Sequence, residues 1–573
     1  MASWVEQTVN TFRNLDLRRL GVDEAYINVS STLSDPIWMY SLSEECYKCP
    51  YGRVQKISPR HDNVIKVSTK FNVNWKFFDQ DVGPYTLEAS REAQAVCEIR
   101  QPDLGEFGVY DVHILGTGNC AINTALQPVN IYLPFVVFII IIIALIALVR
   151  GINLATKFYR RSEETPADEE QNNERPEAPV RKRLRSLDTF RGLCIVLMVF
   201  VNSGAGGYTW LEHATWNGIH FADFIFPWFL WIMGVCIPMS VKSQLARNAT
   251  KKDMLLNVVR RSLTLFAIGV CLNTLNGAQL ENIRIFGVLQ RFGVAFLVVA
   301  GLHIIFRKVG SLPPQNALAR AFYDVYILLP EWSIMISLVI AHLALAFGLS
   351  VPGCGRGYLG PGGMHEMTHY NHCIGGATGY IDRLILSNNH IYQHPTAKKV
   401  YGSGAFDPEG VFGCLLTIFQ VFLGVQCGMI LLVHSDWRAR IKRWTIWGGV
   451  IGIIGGALCE FRKEDGLIPV NKNMWSLSFV LVTSGIAFIL LATMYFVVDV
   501  RKGIWRGAPL VYAGMNAIII YVGHQVFHKM LPWHWSIGLM NTHFMRLLES
   551  GWNTVLWVGI SYYLYKRKLF YSI

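Results

Sequence analysis

The feature that most constrains this chain is a run of twenty residues, Asn130 to Val149, that contains no charged side chain. At a rise of 1.5 Å per residue, a helix of this length crosses the hydrocarbon core of a bilayer. Similar apolar runs recur to the end of the chain, in which 52% of the residues are hydrophobic and only 16% are charged. The sequence therefore predicts a polytopic α-helical membrane protein and not a soluble globular one.

The apolar runs predict about eleven transmembrane helices. They lie near residues 130–149, 189–203, 221–241, 255–275, 285–306, 326–349, 411–433, 444–459, 474–498, 508–528 and 551–566. Lys and Arg are concentrated in every second connecting loop and in the C-terminal tail. Such loops stay in the cytosol, so the C-terminus is predicted to be cytosolic and the N-terminus to lie on the other side. This distribution explains the net charge of +12 and speaks against nucleic-acid binding.

The segments outside the spans differ in character. Residues 63–74 and 107–115 alternate apolar and polar side chains, which indicates strands of a small β-rich domain on the non-cytosolic side. After the first span the chain is rich in Glu, Pro and Arg, a composition typical of a flexible linker. The predicted regions are 1–129 (β-rich domain), 130–149 (first span), 150–186 (cytosolic linker) and 187–573 (ten further helices, with a long non-cytosolic loop at 350–410).

Half of the cysteines fall in segments on the non-cytosolic side, and their even number predicts disulfides there. They are Cys46, Cys49, Cys97, Cys120, Cys354 and Cys373, six of twelve in the chain. The spacing of the first two also allows a zinc site, but no second pair of ligands with zinc spacing follows, so no metal is expected.

Asn28 begins a glycosylation sequon on the non-cytosolic side, whereas the sequon at Asn248 lies in a cytosolic loop and is predicted to stay unmodified. The first twenty residues have no apolar core of the kind found in signal peptides. We therefore expect either a leader before this numbering or translocation of the N-terminal domain as a tail.

Residues 186–240 combine apolar runs with ionisable groups that lipid cannot solvate, which predicts a functional site. Asn202 ends one span, and His213 lies in the Gly-rich hairpin that follows it. A neutral imidazole can attack an acyl donor or accept a proton from an amine, so His213 is the candidate catalytic residue. His220 is the second choice.

Arg291, beside Gln290, and Arg284 are candidates for binding an anion such as a phosphate, and an ion pair with Asp223 or Asp188 is the alternative. Carboxylates, amides and aromatic rings near the non-cytosolic face suit a sugar. The predicted substrate-binding residues are Asp223, Trp216, Asn217, Asp382, Asp407, Glu409, Asn471, Lys472, Asn473 and Trp475. Helix capping explains Asp407 and Asn473 almost as well.

Ten motifs occur in order between residues 130 and 573. They read LRSLDTFRGLCIVLMVFVN, HATWNG, ADFIFPWFLWIMG, FGVLQRFGV, VPGCGRGYLGPGG, GGATGYIDR, YQHP, DPEG, IPVNKNMWSLSFV and GMNAIIIYVGH. Together they resemble the heparan-α-glucosaminide N-acetyltransferase family. The resemblance implies a lysosomal membrane enzyme with eleven spans. It would move acetyl from cytosolic acetyl-CoA, as co-substrate, to the amino group of terminal non-reducing α-D-glucosamine of heparan sulfate in the lumen.

The resemblance implies that His213, in HATWNG, is the active histidine and that Asn202, in FVN, acts with it. Asp188 and Arg191 lie at the cytosolic end, where coenzyme A would enter, and join Arg291, Gln290 and Arg284 as predicted cofactor-binding residues. Two mechanisms stay open, an acetyl-histidine intermediate and direct transfer with His213 as base.

We also expect a homodimer in the lysosomal membrane, whose contact includes no disulfide through residues 276–284 because that loop has no cysteine. The alternative functions are a transporter of a sugar or anion and a related membrane acyltransferase that acts on another glycan.

Overall fold

The computed structural model describes residues 4, 11–59, 61, 63–86, 94–116, 118–163, 184–275, 277–307, 322–501 and 505–571. The strands among these residues all lie in the N-terminal region. They are β1 (Thr11–Phe12), β2 (Leu15–Asp16), β3 (Glu24–Ser31), β4 (Ile37–Ser43), β5 (Gly52–Ile57), β6 (Asn63–Ser68), β7 (Val73–Phe78), β8 (Cys97–Arg100), β9 (Val109–Gly116) and β10 (Asn119–Leu126).

Two four-stranded sheets, ordered β10-β9-β3-β6 and β5-β4-β7-β8, pack face to face. Buried and partly exposed residues alternate along β3, so that Ala25, Ile27 and Val29 enter one core with Met39 and Phe77 of the second sheet. Burial of alternate residues is what the period-two pattern of the sequence predicts. The prediction of a β-rich N-terminal region is confirmed.

All six cysteines predicted to form disulfides do so, in the pairs Cys46–Cys49, Cys97–Cys120 and Cys354–Cys373. Asn28 lies in the middle of β3, between β6 and β9, and its side chain is half-buried. Glycosylation at Asn28 stays a prediction, at a less accessible position than the loop that a sequon usually occupies.

The longer helices are α1 (Tyr132–Glu163), α2 (Arg185–Asn202), α3 (Ile225–Leu245), α4 (Lys251–Asn273), α5 (Val288–Phe306), α6 (Leu329–Gly348), α7 (Gly376–Leu386), α8 (Cys414–Val433), α9 (Trp437–Leu458), α10 (Leu477–Tyr495), α11 (Leu510–Met515), α12 (Ala517–Val526) and α13 (His543–Lys566). Seven helical segments among the described residues, which contain α1, α3, α4, α5, α6, α8 and α10, are long and apolar enough to cross a membrane. These seven helices support the prediction of a polytopic α-helical membrane protein.

The other four predicted spans coincide with α2, α9, the pair α11 and α12, and α13. Of these, α2 carries Asp188 and Arg191 within its first turns, and α9 begins with several basic residues. The tenth predicted span is interrupted at Asn516, whose backbone leaves the helical conformation. Charge in α2 and α9 and the interruption between α11 and α12 distinguish these helices from the seven that are long and apolar enough to span.

The linker predicted at 150–186 is partly helical, because α1 continues past residue 149 to Glu163. Residues 164–183 of this linker and 308–320 of the predicted cytosolic loop lie outside the described residues.

Glycines allow the helices around the site to touch backbone to backbone. A side chain on Gly192 of α2 would collide with the carbonyl oxygen of Leu510, and one on Gly514 of α11 with that of Asp188. Gly234 of α3 and Gly424 of α8 form a second contact of this kind. Small residues permit such close approach in membrane bundles, where packing and not hydrophobicity drives helix association.

Candidate active site

His213 and Asp223 form a hydrogen-bonded pair at the end of the bundle that faces the N-terminal domain. Nδ1 of His213 lies 2.7 Å from Oδ1 of Asp223. The other carboxylate oxygen accepts hydrogen bonds from the backbone N–H groups of Ala214 (3.1 Å) and His220 (2.9 Å). A carboxylate fixed in this way favours the ring proton on Nδ1, which leaves the Nε2 lone pair available for chemistry.

The hairpin between α2 and α3 owes its shape to local sequence. Gly204, Gly206 and Gly207 have φ values of 97°, 74° and 81°, which only glycine adopts without strain, so the chain turns sharply after α2. Further along, the indole N–H of Trp216 donates to the carbonyl oxygen of Leu359 at 2.9 Å. The hairpin is thereby attached to the 350–410 loop, and the His213 backbone is fixed on both sides.

Lys472 lies beside the His213 ring, with Nζ 3.2 Å from Nδ1 and 3.3 Å from Nε2. Burial lowers the pKa of His213, and the Lys472 ammonium lowers it further, against the opposing effect of Asp223. The ring still presents 35% of its side-chain surface to the cavity described next. It is thus an accessible imidazole that stays neutral at a lower pH than a free histidine does.

A cavity of about 810 Å³ begins at His213 and follows α3 through the bundle. Its wall includes one face of α3 and the short helical turn before it, from Ala222 at one end to Gln244 at the other. That distance corresponds to about 33 Å of helix, close to the thickness of a hydrocarbon core. The cavity therefore connects the histidine pair with the opposite end of the bundle.

Several of the predicted site residues line this cavity. They are His213, Asn202, Arg191, Arg284, Glu409, Lys472 and Asn473. Asn202 is positioned by His524, whose Nε2 lies 2.9 Å from the Asn202 amide nitrogen. Arg191 pairs with Asp188 at 3.3 Å and also donates to the carbonyl oxygen of Gly514. The last contact brings α11 to the cavity wall at the point where the tenth span is interrupted.

Arg284 lies on the cavity wall but is neutralised there. Its guanidinium binds both oxygens of Asp407, at 2.9 and 2.5 Å, and Glu409 at 2.6 Å. The sequence offered an ion pair with Asp223 or Asp188 as the alternative role for Arg291 and nearby Arg284. Arg284 pairs instead with the two carboxylates of the DPEG motif, Asp407 and Glu409.

Arg291 is almost fully buried, with 1% of its surface exposed, and is enclosed by protein. It donates to the carbonyl oxygen of Gly410 at 2.7 Å and lies over the ring of Trp475 at 4.9 Å. Neighbouring Gln290 donates to the backbone of Ile285. Neither side chain is part of the cavity wall among the described residues, so the structure places both in the supporting framework.

Most of the predicted sugar-binding residues do not line the cavity and lie in the surrounding protein. Seven of them are outside the set that forms the cavity wall among the described residues, namely Trp216, Asn217, Asp223, Asp382, Asp407, Asn471 and Trp475. For example, the Asn217 amide nitrogen donates to Glu464 at 2.5 Å, and Asn471 donates to Asn217 at 3.0 Å. His220, the second histidine candidate, faces a different cavity, between α9 and α10.

The structure adds cavity residues that sequence reasoning missed. Tyr392, His394 and Thr396 come from the 350–410 loop, and Arg261 comes from α4. Arg261 has no carboxylate partner among the described residues, and its guanidinium lies 4.5 Å from the ring centre of Phe296. The one signal in the sequence was the motif YQHP, which contains Tyr392 and His394. No group of three metal-ligating side chains occurs among the described residues.

Comparison with known proteins identifies the family of this chain. Residues 183–345 match the family model described as heparan-alpha-glucosaminide N-acetyltransferase, catalytic. The mouse protein named heparan-alpha-glucosaminide N-acetyltransferase is 37% identical over 617 aligned positions, which cover 99% of this chain and 91% of the mouse protein. The human protein of the same name is 44% identical over 406 positions, covering 68% of this chain and 60% of the human protein. The chain therefore belongs to the heparan-α-glucosaminide N-acetyltransferase family.

Proposed function

We propose that this protein moves the acetyl group of cytosolic acetyl-CoA to the amino group of terminal non-reducing α-D-glucosamine of heparan sulfate in the lysosomal lumen. One observation carries the proposal. A cavity about as long as a bilayer is thick ends at an ordered, accessible histidine. An acyl donor and an amine held on opposite sides of a membrane require such an arrangement.

The topology that this function needs has eleven crossings, formed by α1 to α6, α8 to α10, the interrupted pair α11 and α12, and α13. The N-terminal domain and the 350–410 loop are then luminal, and residues 150–186 and the C-terminus are cytosolic. The positive charge of the cytosolic loops and the disulfides of the luminal segments support this orientation. A homodimer in the lysosomal membrane is proposed from the family resemblance, and cross-linking in native membranes tests it.

Arg261 and Arg191 lie on the wall of the cytosolic half of the cavity, where they suit the phosphate groups of coenzyme A. Arg191 is already paired with Asp188, whereas Arg261 is without a carboxylate among the described residues. Arg261 is therefore the stronger candidate for the donor, and Arg191 shapes the wall beside it.

At the luminal end His213 acts on the acceptor. The glucosamine amine, once it has lost one proton to the lumen, attacks the thioester carbonyl carbon. Nε2 of His213 accepts the second amine proton while Asp223 stabilises the imidazolium, the carbon–sulfur bond breaks, and the proton passes to the sulfur of coenzyme A. Both substrates then occupy one cavity, which favours direct transfer.

The carbonyl oxygen gains negative charge in this step and needs donors. The amide of Asn202 and the ammonium of Lys472 both line the cavity and are candidates for this role. One well-placed donor of this kind is worth about 3–4 kcal/mol in other acyl-transfer enzymes.

Sealed vesicles that contain the protein test the proposal, with labelled acetyl-CoA outside and a glucosaminide inside. We expect label on the sugar, and none with His213→Ala at an unchanged thermal stability. Near-normal turnover of that variant would overturn the assignment of His213. Label retained on the protein without acceptor would establish an acetyl-histidine instead of direct transfer, and sugar movement without label would support a transporter.

A further inference from the structure

We propose that the segment from His394 to Lys399 is a second substrate subsite, which binds the acidic groups of the sugar next to the terminal glucosamine. This inference rests on the proposed function, because it concerns the same acceptor. Heparan chains carry carboxylates and sulfates beside the reacting sugar, and the chemistry that recognises such groups is a set of exposed, fixed cations.

The segment is part of the active-site wall. His394 and Thr396 line the cavity that contains His213. The Thr396 hydroxyl donates to the carbonyl oxygen of Thr215 at 2.8 Å, in the same hairpin as His213. The amide of Asn473, next to Lys472, lies 3.4 Å from the Thr396 hydroxyl oxygen. The segment is thus attached to both loops that carry the histidine and its lysine.

The other end of the segment is fixed by the N-terminal domain. Lys398 begins a short helix that ends at Tyr401, and 2% of the Tyr401 surface is exposed. The Tyr401 hydroxyl donates to the carbonyl oxygen of Glu45 at 3.0 Å and accepts from the backbone N–H of Tyr47 at 3.1 Å. The segment from His394 to Lys399 is thus attached at both ends and holds its cations at a constant distance from His213. Such preorganisation lowers the conformational entropy that is lost on binding.

The two lysines of this segment are available to bind an anionic ligand. Lys398 and Lys399 are exposed, and neither has a carboxylate partner among the described residues. Nζ of Lys398 lies 3.3 Å from the carbonyl oxygen of Gln393, which places the ammonium against the residue before His394. Lys399 is at most about 11 Å of extended chain from Thr396. The two lysines therefore follow the wall residues His394 and Thr396 closely in the chain, within the reach of a sugar next to the one that reacts.

The test compares two acceptors with the purified full chain, namely a heparan-derived tetrasaccharide with terminal glucosamine and methyl α-glucosaminide. For the double variant Lys398→Gln, Lys399→Gln we expect the KM of the tetrasaccharide to rise about fivefold, as two exposed charge pairs allow. The KM of the small acceptor stays at the wild-type value. Added salt weakens tetrasaccharide binding by the wild type more than by the variant.

The variant Lys398→Arg, Lys399→Arg keeps the charge and should restore the tetrasaccharide KM, and Lys56→Gln removes an exposed lysine of the N-terminal domain as a control. An unchanged tetrasaccharide KM, or an equal rise for both acceptors, would overturn the subsite. If the wild type acetylates neither acceptor, the proposed function fails. Direct binding of labelled tetrasaccharide to the wild type and the Gln variant then decides the subsite separately, since equal binding refutes it.

Discussion

Lys472 and His213 are in direct contact, and the Lys472 ammonium lies 3.2 and 3.3 Å from the two ring nitrogens. A protonated lysine at this distance disfavours a second positive charge on the imidazole. The contact therefore keeps His213 neutral as the surroundings become acidic, which is the form that both candidate mechanisms need.

Replacing Lys472 with Met removes this charge and should raise the pKa of His213, because burial alone then opposes protonation. The neutral form prevails above the pKa, so the acidic limb of kcat/KM against pH should move to higher pH. Activity should fall more at pH 5 than at pH 7. The measurement is the pH profile of acetyl transfer to a small glucosaminide.

Lys463→Met is the matched control, since Lys463 is in the loop before α10 and pairs with Glu45 at 2.7 Å. Its profile should match that of the wild type. An acidic limb that stays in place in Lys472→Met would show that the contact does not set the protonation of His213.

Asp223→Asn should leave the hairpin intact but lower kcat by about 100-fold or more. An amide oxygen still accepts from the backbone N–H groups of Ala214 and His220. The amide no longer stabilises an imidazolium, and its N–H₂ can force the ring proton onto Nε2. Turnover and the apparent melting temperature are measured on the same preparation.

An unchanged melting temperature with lost turnover is the expected pattern for Asp223→Asn, and His220→Ala, whose side chain faces the other cavity, should retain turnover. An Asp223→Asn variant with wild-type kcat would show that the His213–Asp223 pair does not take part in catalysis.

The sequence singled out both His213 and Asp223, but it assigned Asp223 to the sugar, whereas the structure pairs it with the His213 ring. The two residues are only ten positions apart in one hairpin, so their proximity could be expected from local sequence, but the direction of each side chain could not. The role of Arg291, in contrast, could not be determined from local sequence. An arginine in an apolar run is equally compatible with an anion site and a buried support, and its actual partner, the Gly410 carbonyl, lies 119 residues further along. Only the tertiary arrangement of α5 and the loop before α8 distinguishes the two roles.

Arg261 was missed for a related reason. Beside Arg260, near the predicted cytosolic end of its span, it has the pattern of a residue that merely sets orientation. A helix places neighbouring residues about 100° apart, so one of the two arginines faces the cavity while the other does not. Which one does so depends on the packing of α4 against α5, and local sequence does not reveal it.

Arg261→Gln should raise the KM of acetyl-CoA about tenfold and leave the KM of the acceptor unchanged, because a hydrogen bond to a charged group contributes about 1.5–3 kcal/mol. Initial rates are measured with each substrate varied in turn. Arg260→Gln is the matched control and should behave like the wild type, since Arg260 is outside the cavity wall in the described chain. Equal effects of the two substitutions would refute a donor site at Arg261.

Glu106 and Asp23 of the N-terminal domain meet the buried His543 at the start of α13. Nε2 of His543 lies 3.1 Å from Asp23 and 3.9 Å from Glu106, and Nδ1 lies 2.8 Å from the carbonyl oxygen of Gly206. With acceptors at both nitrogens the ring is best satisfied as an imidazolium. This contact joins the β-sandwich to the helical bundle, so its protonation bears on the stability of the whole protein.

Burial raises the pKa of Glu106 from 4.5 to about 7, an effect that nearby Asp23 increases and that His543 and Arg546 oppose. Between these two pH values the folded protein binds more protons than the unfolded chain does, so the free energy of unfolding should fall as the pH rises from 4.5 to 7. The loss amounts to about 3 kcal/mol at most.

Glu106→Gln mimics the protonated carboxyl, so the melting temperatures of this variant at pH 5 and pH 7 should differ less than those of the wild type. The control Glu44→Gln, at an exposed carboxylate of the same domain, should keep the wild-type dependence, and a Glu106→Gln variant that also keeps it would contradict the role of this carboxyl.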